Sequence, residues 1–509
     1  MNVRPLAVLL AAATLAACRH ARPEADPLAQ LPATIESTRA ALRIPGLSVA
    51  IVRDGEIVLA RGFGMADPAK NVAAGPETLY PIGSITKTFT ATLMQQLAEE
   101  GRLDLDAEVR GFVDWEVAPG IRIRHVLSHT SEGVPGTRFS YSSRFNWLDN
   151  VVEAATKESF RTLMTTHVLE RVQLRDTLLG EEHEGYAESL PALAAPHRVD
   201  GKDVVRSRYP PMAFHSSSGI SSTVTDLARY SIALDEGRLL SPAALERVWT
   251  PVTAPNGNAF PYGAGWFSQT VAGERVVWHT SWWPDAYSGL LVKVPSRRLA
   301  LVLLANSDAL VSPQRGSSNV LLYPIANAFL HAMLGGEQPF RGTALVAQSL
   351  IATANGDTAR RDALLSEAMA CCAGDLAGIG DDDRLRLFAA SDDPAVRALA
   401  VEAGQRLATA FPENLGIQFD VALLRGRVRP SMRINGDDAQ GAVAALDQIA
   451  ASTQAKPKWM DAWSHYLVAE HIAATEPERA KLLANRALAT GVDTDGLRRR
   501  VEELLQKLP

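Results

Sequence analysis

The sequence predicts an α/β (α+β) chain, with an antiparallel sheet flanked by helices, an inserted helical subdomain, and an all-α C-terminal domain. Three observations predict it. Hairpin patterns lie near residue 50 and again between residues 276 and 305, helical segments and loops fill the stretch between them, and strand signals vanish after Pro339. The chain has 509 residues, enough for two or three domains. It is 47% hydrophobic with a formal net charge of −6, which gives no basis for nucleic-acid binding.

At the start, Arg4 precedes an apolar run from Leu6 to Ala17 that is too short to span a bilayer and reads as a secretory signal. It ends Leu15-Ala16-Ala17-Cys18, which resembles the lipobox of bacterial lipoproteins. That resemblance implies cleavage before Cys18 and a lipid on its sulfur. Arg19 follows where an aspartate would retain the protein at an inner membrane, a pattern similar to outer-membrane sorting toward the periplasm. Residues 19–30, with Pro23, Glu24, Asp26 and Pro27, read as a tether. The other cysteines, Cys371 and Cys372, are adjacent and are not expected to bridge without backbone strain.

Residues 31–338 read as one domain. Leu47 to Val52 forms a strand, Asp54-Gly55 the turn, and Ile57 to Ala60 the return. From Ile85 to Glu100 apolar residues recur every four positions (Ile85, Phe89, Leu93, Leu97), a helix that Gly101 stops. Ser217 to Thr225 is a small-residue loop entering a second helix, with Thr223 or Thr225 as its N-cap and Gly237 beyond its end. Val276 to Ser281 is a strand, and Tyr287–Val294 and Leu299–Ala305 form a hairpin around Pro295 to Arg298.

The chemistry-bearing stretch is Ser84-Ile85-Thr86-Lys87. Residues three apart share a helix face, so Ser84 presents its hydroxyl beside the Lys87 amine, at a helix N-terminus whose free N–H groups suit an oxyanion. Lysine serves as a base only if burial or another cation lowers its pKa. His125 and His129 are spaced as metal ligands on a helix, but a zincin needs Glu where Val126 stands, so the stretch to Ser131 reads as loop structure. No cofactor motif is present. Tyr141, among Ser140, Ser142 and Ser143, is placed where a phenol could approach Ser84.

Together these segments resemble the serine β-lactamase and penicillin-binding-protein superfamily: class C β-lactamases, D-alanyl-D-alanine carboxypeptidases and family VIII esterases. The resemblance implies Ser84 as acylated nucleophile, Lys87 as its base, and Tyr141 as the proton shuttle to the leaving group. It puts His279 in the place of the third-motif lysine and makes the backbone N–H groups of Ser84 and Trp282 the oxyanion hole. Two departures stand out. Ser143 replaces the asparagine of Tyr-x-Asn, and His279-Thr280-Ser281 is followed by Trp282-Trp283 where the family has glycine. Ser281 and the two tryptophans are expected to narrow the groove and to favour a small ester over a β-lactam or D-peptide.

Residues 339–509 are rich in Ala, Leu, Arg, Asp and Glu at helical spacing, as in Ala359–Ala370 and Val396–Ala410. Trp463 to Ala489 weakly resembles a tetratricopeptide unit, and an irregular bundle fits equally. Such a domain could bind a protein partner. The alternative to an active hydrolase is therefore a weak or inactive envelope lipoprotein acting through these helices.

Overall fold

A computed structural model describes residues 26–508, apart from 183, 185, 201, 256, 258, 336–339, 390, 392, 411, 413, 427–433, 435–437, 455 and 493–495. The signal segment, Cys18 and the start of the tether lie outside the described residues. Within residues 26–30, expected as the end of the tether, Leu28 joins the core and Asp26 accepts from Arg53 at 3.1 Å, while the rest is exposed.

The main sheet is antiparallel and seven-stranded. Its order is Val72–Ala73, Glu56–Asp67, Gly46–Arg53, Leu299–Ala305, Tyr287–Val294, Glu274–Trp283 and Phe267–Val271. The first hairpin turns at Asp54 (φ 56°) and Gly55 (φ 83°), two left-handed residues that match the twist of the flanking strands. Its first strand then pairs with the last, Leu47 opposite Ala305 and Val52 opposite Ala300.

Both faces of this sheet are covered, so its central strands are buried on both sides and mostly apolar, with few polar residues such as Ser48 and Lys293. Ala50, Val52, Ala300, Val302 and Leu304 point to one core with the helix Thr86–Glu99. Leu47, Val49, Ile51, Leu299, Leu301 and Leu303 point to the other, with the helices Leu31–Ala41 and Pro324–Leu334. The helical insertion runs between Ala73 and Phe267. Within it, Thr223 caps the helix Val224–Asp235 by accepting from the Asp226 N–H at 3.1 Å. Lys293, on a central strand, reaches that helix at Asp235 (2.9 Å) and Ser231 (2.6 Å), a buried link between sheet and insertion.

The C-terminal region is helical from Arg341–Ala354 to Leu497–Lys507. Gly356 (φ 71°) separates two of its helices, and Pro477 opens one at its first position. Cys371 and Cys372 are bridged, contrary to expectation. The helix Thr358–Ala377 accommodates the bridge by leaving helical geometry at Cys372 (φ −146°, ψ 38°). Among the described residues no helix is long and apolar enough to cross a membrane.

Candidate active site

Ser84 sits in a single 3-10 turn, Gly83–Ile85, that feeds the helix Thr86–Glu99. The turn lies against the strand Glu274–Trp283. Gly83 has φ 43°, and a Cβ there would fall 2.8 Å from Ser281 Oγ and 3.7 Å from the Trp282 nitrogen, so only glycine fits. This close approach packs the turn carrying Ser84 against the strand at Ser281 and Trp282.

Lys87 lies one turn on, 4% exposed. Its Nζ donates to Ser84 Oγ at 3.1 Å and to the Ser217 carbonyl at 3.2 Å. The ring centroids of Tyr141 and Phe145 lie 5.0 and 5.4 Å from it. Burial without a compensating carboxylate pulls its pKa from the usual lysine range to about 7. Tyr141 is 45% exposed through its ring, yet its hydroxyl is turned inward to Ser84; burial raises the phenol, and the bond to Ser84 opposes the rise.

His279 is fully buried. The Thr280 carbonyl, 2.8 Å from Nδ1, can only accept, so Nδ1 carries the proton and Nε2 accepts from the Tyr262 hydroxyl at 2.9 Å. Burial, with the Lys87 charge nearby, lowers its pKa to about 3, so the ring is neutral. The strand Phe267–Val271 pairs with its neighbour only as far as Trp278, leaving the outer edge beyond His279 without a strand partner among the described residues.

The Beta-lactamase family model matches residues 31–322, more than half of the chain and all of the residues just placed around Ser84. The chain belongs to the Beta-lactamase family. Protein flp of Staphylococcus aureus (strain MW2) is 26% identical over 333 residues, 57% of this chain and 65% of that one. A D-aminopeptidase of Gluconobacter oxydans is 26% identical over 313 residues, 55% of this chain and 59% of that one. This family member therefore spans less than two thirds of either curated relative's length. Among solved structures, the octameric penicillin-binding protein homologue from Pyrococcus abyssi superposes with a TM-score of 0.51 at 25% identity, covering 55% of this chain and 73% of that one.

Within this family framework, Ser84, Lys87, Tyr141, His279 and Ser281 come together as expected, and three expectations are corrected. Ser143 is exposed, and the contact beside the lysine is made by the Ser217 carbonyl. Asn146, one turn further, accepts from the Ser217 hydroxyl instead. The Trp282 ring does not line the groove. Alternation along the strand sends it to the opposite face, where Nε1 donates to Ser312 Oγ at 3.0 Å, and only Trp283 packs on the site's side. Thr280 also faces away, toward Tyr323.

Sequence reasoning missed Tyr262 and Ser217 and read His129 only as loop structure. Tyr262 lies in a Gly- and Pro-rich loop with no period to mark it. His129 is buried, at φ 55°, in the aromatic cluster of Phe139, Tyr141, Phe145 and Tyr262. The His129-Thr130-Ser131 string was the available signal.

Proposed function

We propose that the protein is a serine acyl hydrolase acting on small esters or amides. The observation that carries this is the contact between Ser84 Oγ and a buried Lys87 amine whose pKa lies near neutrality. Neutral Lys87 accepts the Ser84 proton as Oγ attacks the carbonyl. The N–H groups of Ser84 and Trp282 stabilise the developing oxyanion. Tyr141, whose phenol interacts with Ser84, passes a proton to the departing alcohol or amine. Water then attacks the ester on Ser84 by the same route reversed, releasing the acid and restoring the hydroxyl.

Esters are favoured slightly. The third-motif place holds a neutral His279, which offers no cation to a substrate carboxylate of the β-lactam or D-alanyl-D-alanine kind. The D-aminopeptidase likeness supports amides of D-amino acids as the second arm. Turnover of a short-chain nitrophenyl ester, a D-alanyl nitroanilide and a chromogenic cephalosporin, each with wild type and Ser84→Ala, tests this. Ester or anilide turnover that vanishes in the mutant supports the reading. Turnover that survives Ser84→Ala would sink it, and dominant cephalosporin cleavage would reverse the substrate order.

The export and anchoring reading rests on Arg4, the apolar run Leu6 to Ala17, its Leu15-Ala16-Ala17-Cys18 ending and Arg19. Its test is incorporation of labelled palmitate, which Cys18→Ala should abolish.

A further inference from the structure

Residues 312–323 are held between the third-motif strand and the C-terminal helices. Toward the strand, Ser312 Oγ accepts from Trp282 Nε1 at 3.0 Å, the Arg315 guanidinium lies 3.8 Å over the Trp282 ring, and the Tyr323 ring lies 5.5 Å from that of Trp278. Toward the C-terminal region, the helix Arg341–Ala354 packs against both ends of this stretch, and the polar contacts come from the helix Asp381–Phe388. Asp383, 3% exposed, accepts from Ser317 Oγ at 2.9 Å and from Arg386 Nη2 at 2.7 Å. Arg386 also donates to the Arg315 carbonyl. Leu322 is buried in the same apolar cluster as Val346, Leu385 and Phe388.

Arg315 is thus gripped at its carbonyl by the C-terminal helix while its side chain covers Trp282. The strand's inner neighbour Tyr287–Val294 pairs with it through Trp283, but the outer edge loses its partner after Trp278. Among the described residues, the stretch carrying the Trp282 N–H is thus held by a strand on one edge only, and the loop adds a second support. An oxyanion donor works only if it is fixed before the reaction, since a displacement of a few tenths of an ångström weakens the bond when charge develops.

We infer that the helix Asp381–Phe388 braces the oxyanion strand, with Asp383 and Arg386 as positioning residues for the Trp282 N–H. This rests on the assignment of Ser84 as nucleophile and Trp282 as donor. It gives the C-terminal helices a role inside the hydrolase, independent of any outside partner. Asp383 is buried while Arg386 is 36% exposed, so removing Arg386 leaves a buried carboxylate without its cation and loosens the loop.

The test uses the full chain and ester turnover. Arg386→Ala should lower kcat about tenfold with KM within about twofold, the pattern of an interaction made in the transition state. Arg386→Lys, which can still donate to the Arg315 carbonyl, should recover part of the loss. Arg406→Ala removes a pair to Asp381 on the same helix without touching residues 312–323 and should leave kcat unchanged. If Arg386→Ala does not fold, Ser317→Ala decides, with a smaller drop of the same pattern expected.

An unchanged kcat in the folded Arg386 or Ser317 variant overturns the brace. So does an equal loss in Arg406→Ala, which would make the effect a general softening of the helix. Ser84→Ala is run alongside. Turnover that survives it overturns the nucleophile assignment and the brace together; turnover lost there but untouched by the Arg386 change overturns the brace alone.

Discussion

His129 holds Tyr141 from both sides. Its carbonyl accepts from the Ser140 N–H at 2.8 Å and its Nδ1 from the Ser142 N–H at 3.0 Å, so the two bonds straddle the tyrosine. The rings stack with centroids 4.2 Å apart at 28°. Because Nδ1 is an acceptor, His129 must be neutral, and burial and the neighbouring Lys87 and His279 keep its pKa well below the usual histidine range.

Removing that clamp should slow the reaction more than it weakens substrate binding. His129→Ala loses the acceptor and suffers at φ 55°, and kcat should fall about tenfold to a hundredfold, part of what a well-placed acid–base group supplies. His129→Asn keeps an acceptor and tolerates the left-handed backbone, so it should retain most of the activity. Steady-state kinetics of the two variants check this; equal activity in His129→Ala and wild type would refute the clamp.

The pH profile follows from Lys87. With its pKa near 7, the fraction of neutral amine rises as pH rises through that value. kcat/KM should therefore climb about tenfold per pH unit below 7 and level off above it. A profile flat from pH 5 to 8 would mean that Lys87 is not the base.

The same residue costs the fold stability. A buried lysine with a lowered pKa favours the unfolded state below its folded pKa, and the penalty shrinks as pH rises toward the unfolded value of 10.5. Between pH 6 and pH 9 it should fall from about 5 to about 2 kcal/mol. Lys87→Met should thus be inactive yet melt at a higher temperature than wild type, with the larger gain at pH 6. Calorimetry at the two pH values reads the sign directly.

Tyr262→Phe removes the hydroxyl that His279 Nε2 accepts from, leaving that nitrogen buried and unpartnered. The loss should be about 1–3 kcal/mol, measured by denaturant titration. A neutral result would mean that water enters and replaces the hydroxyl.

Local patterns were legible in the sequence, and contacts across the chain were not. Asp54-Gly55 announces its turn because only a few residues accept two positive φ values in a row. Ser84 and Lys87 announce each other because three residues on a helix bring side chains together. His129 and Ser142 meet only after the loop between them has folded, and the positive φ at His129 leaves no mark in composition. Ser143 misled by position, since it fills a motif slot without reaching the lysine. Trp282 was legible in principle. Strand alternation puts His279 and Ser281 on one face and Trp282 on the other, so its ring had to point away from the site.

The pairing of Leu47 with Ala305 has a consequence for the order in which the molecule is made. Ribosomes deliver the hairpin first, and its inner strand waits with Leu47, Val49 and Ile51 uncovered until the strand ending at Ala305 emerges. The sheet cannot close during most of synthesis, so folding of this domain is a late event dominated by distant contacts. Until then the open edge of the hairpin is the segment of the growing chain most exposed to mispairing with another copy.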